Sequence, residues 1–160
     1  MNASQTPLFA GISPQDYALL QPMTHQKDYA RGQIILHAGN PAPQVGLVLT
    51  GRVHIEMSDP WGGRGILGSV GPGEIFAESY ALCAQPLQVD AVCAEDARIL
   101  LLDADRALRA VPRLCQNLLS ICARKNLALS RRIFCTSAPT VRARVITYLS
   151  TAGRQGDDLV

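Results

Sequence analysis

Between Thr24 and Leu102 the apolar residues come in short runs, broken at intervals by Gly, Pro or Asn. This pattern predicts strands near 24–29, 33–37, 45–50, 52–57, 64–70, 74–76, 88–94 and 97–102. Short strands at regular spacing, with turn residues between them, build a sandwich or barrel. Gly39-Asn40-Pro41 and Gly51 supply backbone conformations that ordinary residues resist. Asp59-Pro60-Trp61-Gly62-Gly63 reads as a loop tip, and Gly71-Pro72-Gly73 breaks the chain before a very short strand.

Helical patterns flank this region. Ser13 is a good N-cap, Pro14 suits the first helical position and Asp16 the first turn, so a short helix is expected to about Leu20, closed by Pro22. Asp103 can cap another short helix through Arg109. After Pro112 a long helix is predicted from about Arg113 to Phe134, with no internal Gly or Pro, ended by Ala138-Pro139-Thr140. A last amphipathic helix, about Val141 to Ala152, carries Val145, Ile146 and Leu149 on one side; Gly153 and a polar tail, Arg154–Asp158, follow it. The expected fold is mainly β with α: a sandwich or barrel followed by a long helix. The expected organisation is a roll over residues 1–110, a helix over 111–135 and the start of a further domain over 139–160.

Two apolar stripes run along the long helix. Leu119, Cys122, Asn126, Leu129 and Ile133 have the alternating three- and four-residue spacing of a two-stranded seam. Leu114, Leu118 and Ile121 form the other stripe, which fades into Lys125. A helix with two apolar faces can pack one on its own domain and the other on a second copy, so a homodimer is expected. A wholly intradomain helix is the alternative. Asn126 stands where a single buried amide fixes register.

Composition narrows the class. The 160 residues are 48% hydrophobic and 18% charged, which is globular rather than disordered. No apolar run approaches the ~20 residues of a membrane span, and Met1–Pro7 lacks a secretory pattern. Five cysteines without a framework spacing suit a reducing cytoplasm, where Cys122 reads as a small apolar filler. Charge is uneven: residues 1–112 hold seven Lys/Arg against eleven Asp/Glu, and residues 113–160 hold eight against two. A basic back half suits approach to a polyanion, or is simply a solvated helix face.

The candidate chemistry lies in Gly73-Glu74-Ile75-Phe76-Ala77-Glu78-Ser79-Tyr80-Ala81-Leu82, followed by Gln88-Val89-Asp90-Ala91-Val92. A short strand is expected to run straight into one helical turn, whose exposed N–H groups can receive a polar ligand group. This stretch resembles the phosphate-binding cassette of the cyclic-nucleotide-binding β-roll, which reads Gly-Glu, two residues, Gly-Glu, and further on an Arg-Ser or Arg-Thr pair. Val48-Leu49-Thr50-Gly51-Arg52-Val53 is similar to that roll's Leu-x-x-Gly-x-Val hairpin. Over residues 8–152 the chain resembles the Crp/Fnr superfamily of transcription regulators. The resemblance implies a sensing roll of jelly-roll (double-stranded β-helix) fold, a dimerisation helix and, at Val141–Ala152, the first helix of a DNA-binding domain whose recognition helix this chain lacks.

The cassette departs from the pattern. Its second Gly is Ala77; Glu78 retains the carboxylate that holds the ribose hydroxyl; Gln88 and Val89 replace the Arg and the Ser or Thr that hold the cyclic phosphate. Charge-assisted hydrogen bonds contribute about 1.5–3 kcal/mol each, so losing both partners costs over about a thousandfold in affinity. The expected effector is therefore a small molecule other than cAMP or cGMP, less charged or partly apolar. Its implied contacts are Ile75, Phe76, Ala77, Glu78, Ser79, Gln88 and Val89, with Lys125, Leu129 and Ser130 from the long helix; Lys125 is a candidate carboxylate partner.

No cofactor or metal is expected. The first cysteine is Cys83, too late for the N-terminal iron–sulfur cluster some superfamily members carry, and His25, His37 and His54 lie in early strands, away from a haem-ligand position. A cupin-type metalloenzyme would need more than His54 and Glu56 on one strand face. No enzyme activity is expected. DNA contact would come only through a C-terminal domain; a stand-alone binding module without DNA is the remaining alternative.

Overall fold

The computed structural model describes residues 3–58, 63–137 and 139–153. Of the loop expected at Asp59–Gly63 only Gly63 is among them, and Ala138 and the tail Arg154–Asp158 also lie outside them. Eight strands follow in chain order: β1 (Thr24–Tyr29), β2 (Ile34–Leu36), β3 (Gln44–Thr50), β4 (Val53–Ser58), β5 (Arg64–Val70), β6 (Ile75–Phe76), β7 (Asp90–Cys93) and β8 (Ala97–Asp103). The helices are α1 (Pro14–Leu20), α2 (Glu78–Cys83), α3 (Ala104–Ala110), α4 (Pro112–Thr136) and α5 (Val141–Gly153). The expected jelly-roll followed by a long helix is what the structure shows. One sheet has the order β1-β8-β3-β6 and the other β2-β7-β4-β5, and every pairing is antiparallel.

In the first sheet β3 and β8 are apolar on both faces. Along β8, Ala97, Ile99 and Leu101 join Tyr29, Val48, Val53, Phe76, Ala91 and Cys93 in the core between the sheets. The alternate residues Leu100 and Leu102, with Val45 and Leu47 of β3, are buried as well. Their cover is helical: Leu100 lines one small cleft with Phe9, Tyr17 and Leu20. Strands covered on both faces read as continuous apolar runs, and Val45–Leu49 and Ile99–Leu102 do so. At the far edge of the other sheet, β5 leaves Ile66 and Leu67 exposed.

Two glycines are required by contact. Gly46 is paired with Phe76, and a Cβ there would enter the Phe76 ring. Gly51 turns β3 into β4 with φ +80°, and a Cβ there would meet the Asp96 carbonyl and lie 2.7 Å from Ala97 Cα. The caps read from sequence are made. Asp16 N–H donates to Ser13 Oγ (3.1 Å), and Arg106 N–H donates to Asp103 Oδ1 (3.2 Å).

The chain divides into two compact units, Met1–Ile121 and Cys122–Val160, with the boundary partway along α4. In the first unit α4 buries Leu114, Asn117 and Leu118. Asn117 Nδ2 donates to the Leu8 carbonyl (3.0 Å) and the Ala10 carbonyl (2.8 Å), which ties the N-terminal segment to the helix. The second unit leaves Leu127, Leu129, Ile133 and Phe134 exposed on α4, and Val141, Val145, Ile146, Tyr148 and Leu149 exposed on α5.

Candidate functional site

The cassette is built on the middle of β3. Val48 N–H donates to the Glu74 carbonyl (3.1 Å) and Gly73 N–H donates to the Val48 carbonyl (2.8 Å). The Gly71 N–H donates in turn to Glu74 Oε2 (2.7 Å), so this carboxylate closes the turn that launches β6. β6 buries Ile75 and Phe76 and then stops, because Ala77 turns left-handed (φ 62°). A left-handed non-glycine residue costs about 1–2 kcal/mol, and here it aims the chain into α2. The short helix ends the same way, at Ala84 (φ 50°), so alanines in glycine-type conformations bracket both its ends.

The return arm is fastened to the loop after β2. Gly39 N–H donates to the Leu87 carbonyl (2.7 Å), and Leu87 N–H donates to the Asn40 carbonyl (3.0 Å). Ala38 N–H donates to Asp90 Oδ1 (2.8 Å), and His37 Nδ1 lies 3.8 Å from the same oxygen. These bonds hold Gln88 and Val89 in a bend, so β7 starts at Asp90, two residues later than the periodicity predicts. Gln88 is exposed and Val89 is buried. The two arms converge: Phe76 and Ala91 share one core cluster, and Ala77 packs against it.

Glu78, the first residue of α2, is only 6% exposed. A charge at that depth is costly without partners, and Glu78 is engaged by a neighbour. Ser79 beside it is exposed. From Gly65 to Ala97 there is no Lys, Arg or His, against five acidic residues, Glu74, Glu78, Asp90, Glu95 and Asp96. This holds whatever register is chosen for the missing Arg, a stronger sequence signal than the single substitution at Gln88.

The remaining expected contacts, Lys125, Leu129 and Ser130, lie in the second unit, all exposed on α4. Of the expected seam residues, Leu119 is 70% and Ile133 57% exposed, Asn126 is exposed and Cys122 half-buried. His25 and His37 are exposed and His54 half-buried. Among the described residues no three His, Cys, Asp or Glu side chains gather into a metal site.

The titrating groups that depart from ordinary values lie elsewhere. Burial pushes the Cys93 thiol and the Tyr29 hydroxyl up, helped by Asp96 and by Cys93 respectively. A hydrogen bond from Arg98 Nε to Asp28 Oδ1 (2.6 Å) holds the Asp28 carboxyl below its usual range. Asp28, Tyr29 and Arg98 border a wide, shallow depression of about 510 Å³.

Sequence reading missed Asn117 and Cys115. Asn117 shows only as a polar residue beside the Leu114–Leu118 stripe. Cys115 is one heptad before Cys122, and it is exposed.

The site is thus a jelly-roll interrupted between its sixth and seventh strands by a short helix that starts on a buried carboxylate. The chain belongs to the cyclic nucleotide-binding domain family, which it matches over residues 26–113. It is similar to the cyclic AMP receptor protein of Thermus thermophilus, with 29% identity over 154 residues, covering 94% of this chain and 71% of that protein. It is also similar to the CRP-like cAMP-activated global transcriptional regulator of Mycobacterium tuberculosis, with 27% identity over 122 residues, covering 74% of this chain and 54% of that one. The crystal structure of the Thermus thermophilus catabolite activator protein superposes with a TM-score of 0.71 at 27% identity, over 82% of this chain and 63% of that one. The likeness to Crp-type regulators expected from the cassette and the long helix therefore holds. No helix among the described residues is long and apolar enough to cross a membrane.

Proposed function

We propose that this chain is the effector-sensing and dimerising part of a cytoplasmic Crp/Fnr-like transcription regulator whose effector is a small molecule other than a cyclic nucleotide. Residues 1–110 sense, 111–135 dimerise, and 139–160 lead toward a DNA-binding domain. The effector is held by Ile75, Phe76, Ala77, Glu78, Ser79, Gln88 and Val89, with Lys125, Leu129 and Ser130 contributed by α4. Glu78 receives a hydroxyl or N–H group. Two copies associate along Leu119, Cys122, Asn126, Leu129 and Ile133, and the effector shifts the balance between two arrangements of that pair. DNA-binding domains so carried would fit two half-sites about one DNA turn apart.

One observation carries the choice of effector: the cassette segment from Gly65 to Ala97 has no cationic side chain. The printed names of the Thermus and Mycobacterium relatives tie those proteins to cAMP. A cyclic phosphate brought to this segment meets five carboxylates and no cationic side chain of the segment's own to clamp it. Calorimetry with cAMP and cGMP is expected to show no binding at millimolar ligand. The double variant Gln88→Arg/Val89→Ser is expected to gain measurable cyclic-nucleotide affinity. Tight cAMP binding by the unaltered chain would overturn the proposal.

A further inference from the structure

We infer that the outward face of α4 carries a thiol site at which two copies of this chain become covalently joined by a hydroperoxide, with Cys115 as the reacting residue. This rests on the dimer reading given above and adds a modification site to it.

Cys115 is exposed near the start of α4, three residues after Pro112. Cys115, Leu119, Cys122, Asn126, Leu129 and Ile133 follow at alternating steps of four and three residues, so both cysteines hold the same heptad position. That stripe runs about 100° around the helix from the buried Leu114, Asn117 and Leu118. Leu119, between the two thiols, is 70% exposed. In a parallel helix pair each seam residue faces its own copy. Helix axes about 8–10 Å apart, with Cα atoms about 2.3 Å from each axis, leave roughly 3.5–5.5 Å between directly opposed Cα atoms, and more for oblique ones. A disulfide spans Cα separations of about 4.4–6.8 Å.

The other thiols do not meet these conditions. Cys93 is in the roll core, where burial pushes its thiol up. Cys83 is exposed, but on α2 of the roll. Cys135 falls outside the seam spacing. Cys122 shares the seam spacing but is half-buried, whereas Cys115 is exposed.

The chemistry needs only hydrogen peroxide as oxidant. The Cys115 sulfur attacks a peroxide oxygen, the O–O bond breaks, and a sulfenic acid and water result. The Cys115 sulfur of the second copy then attacks that sulfenic sulfur. The S–S bond forms, and the hydroxyl leaves and takes the thiol proton as a second water. Two thiols are oxidised and one peroxide is reduced to two waters. The bond would hold the helix pair in one register and make the effector response sensitive to oxidant.

The test treats the full chain with hydrogen peroxide and reads covalent dimer on non-reducing gels. Light scattering under reducing conditions records association independently of any disulfide. The unaltered chain and Cys83→Ser are expected to convert largely to covalent dimer, and Cys115→Ser at least fivefold more slowly. Cys115→Ser/Cys122→Ser is expected to show no covalent dimer. A reduced dimer that peroxide leaves uncrosslinked, or a double variant that crosslinks like the unaltered chain, overturns the inference and leaves the dimer reading standing. A monomer under reducing conditions removes both.

Discussion

Leu118 and Leu119 are neighbours in one helix, yet the first is 3% exposed and the second 70%. The contrast extends to the regions on either side of them. In the roll and the first turns of α4, Leu8, Leu20, Leu47, Ile99, Leu102 and Leu114 are fully buried. Beyond Ile121 the same residue types stand in the open, Leu127, Leu129, Ile133 and Phe134 on α4 and five more on α5. Apolar residues in the first region stabilise the fold; those in the second stand exposed, where the association proposed above would use them. Stability and association should therefore respond to different substitutions, even one residue apart.

The sharpest way to break that division is to truncate either side of it. Leu114→Ala removes a fully buried side chain and is expected to cost about 2–5 kcal/mol in urea denaturation. Gly51→Ala follows, since it adds a left-handed penalty of about 1–2 kcal/mol to a collision with the Asp96 carbonyl. Its midpoint should fall with the slope unchanged. On the other side, Leu119→Asp together with Ile133→Asp is expected to leave monomer stability within about 0.5 kcal/mol. It should weaken association at least tenfold by sedimentation. If that pair unfolded the protein, the outward face would be a packed one and the two regions would not differ in kind.

The roll was legible in the sequence because its strands carry their own punctuation. The Gly39-Asn40-Pro41 turn, the Gly51 turn and the Gly71-Pro72-Gly73 break stand in the structure where the residues put them. β3 and β8, buried on both faces, show as uninterrupted apolar runs. The return arm was harder to read. Gln88 and Val89 continue the apolar alternation of β7, and only contacts from the Gly39-Asn40 loop, distant in sequence, hold them in a bend. Backbone pairing between distant segments leaves no local mark. Nor do the left-handed conformations of Ala77 and Ala84, because alanine is a helix former by preference. Asn117 was unreadable for a related reason: its partners are main-chain carbonyls of Leu8 and Ala10, which carry no side-chain signature.

Ala77 sharpens the comparison within the roll itself. Most of the roll is relaxed, while the cassette holds an alanine at φ 62°. Ala77→Gly removes that strain and is expected to stabilise the fold by about 1 kcal/mol, less the entropy glycine adds to the unfolded chain. If stability fell instead, the methyl packing of Ala77 against the core would outweigh its backbone strain.

The smallest effect is expected at the roll's exposed rim, where charge rather than burial is involved. Arg98 holds Asp28 through two hydrogen bonds, Nε to Oδ1 at 2.6 Å and Nη2 to Oδ2 at 3.1 Å, across the β1–β8 pair. The pairing lowers the Asp28 carboxyl from its ordinary value of 3.8. A carboxyl lowered on folding contributes stability above its unfolded value and loses it as pH falls through the folded one, so the contribution disappears only in acid, below about pH 4. Both side chains are well exposed, and water screens the pair strongly. Arg98→Ala should therefore raise the Asp28 carboxyl toward its ordinary value in an NMR titration. Urea stability at neutral pH should barely move, and any small difference from the unaltered chain should vanish in acid. A loss comparable to that of Leu114→Ala would mean that the rim, like the helical cover of the first sheet, is a packed surface.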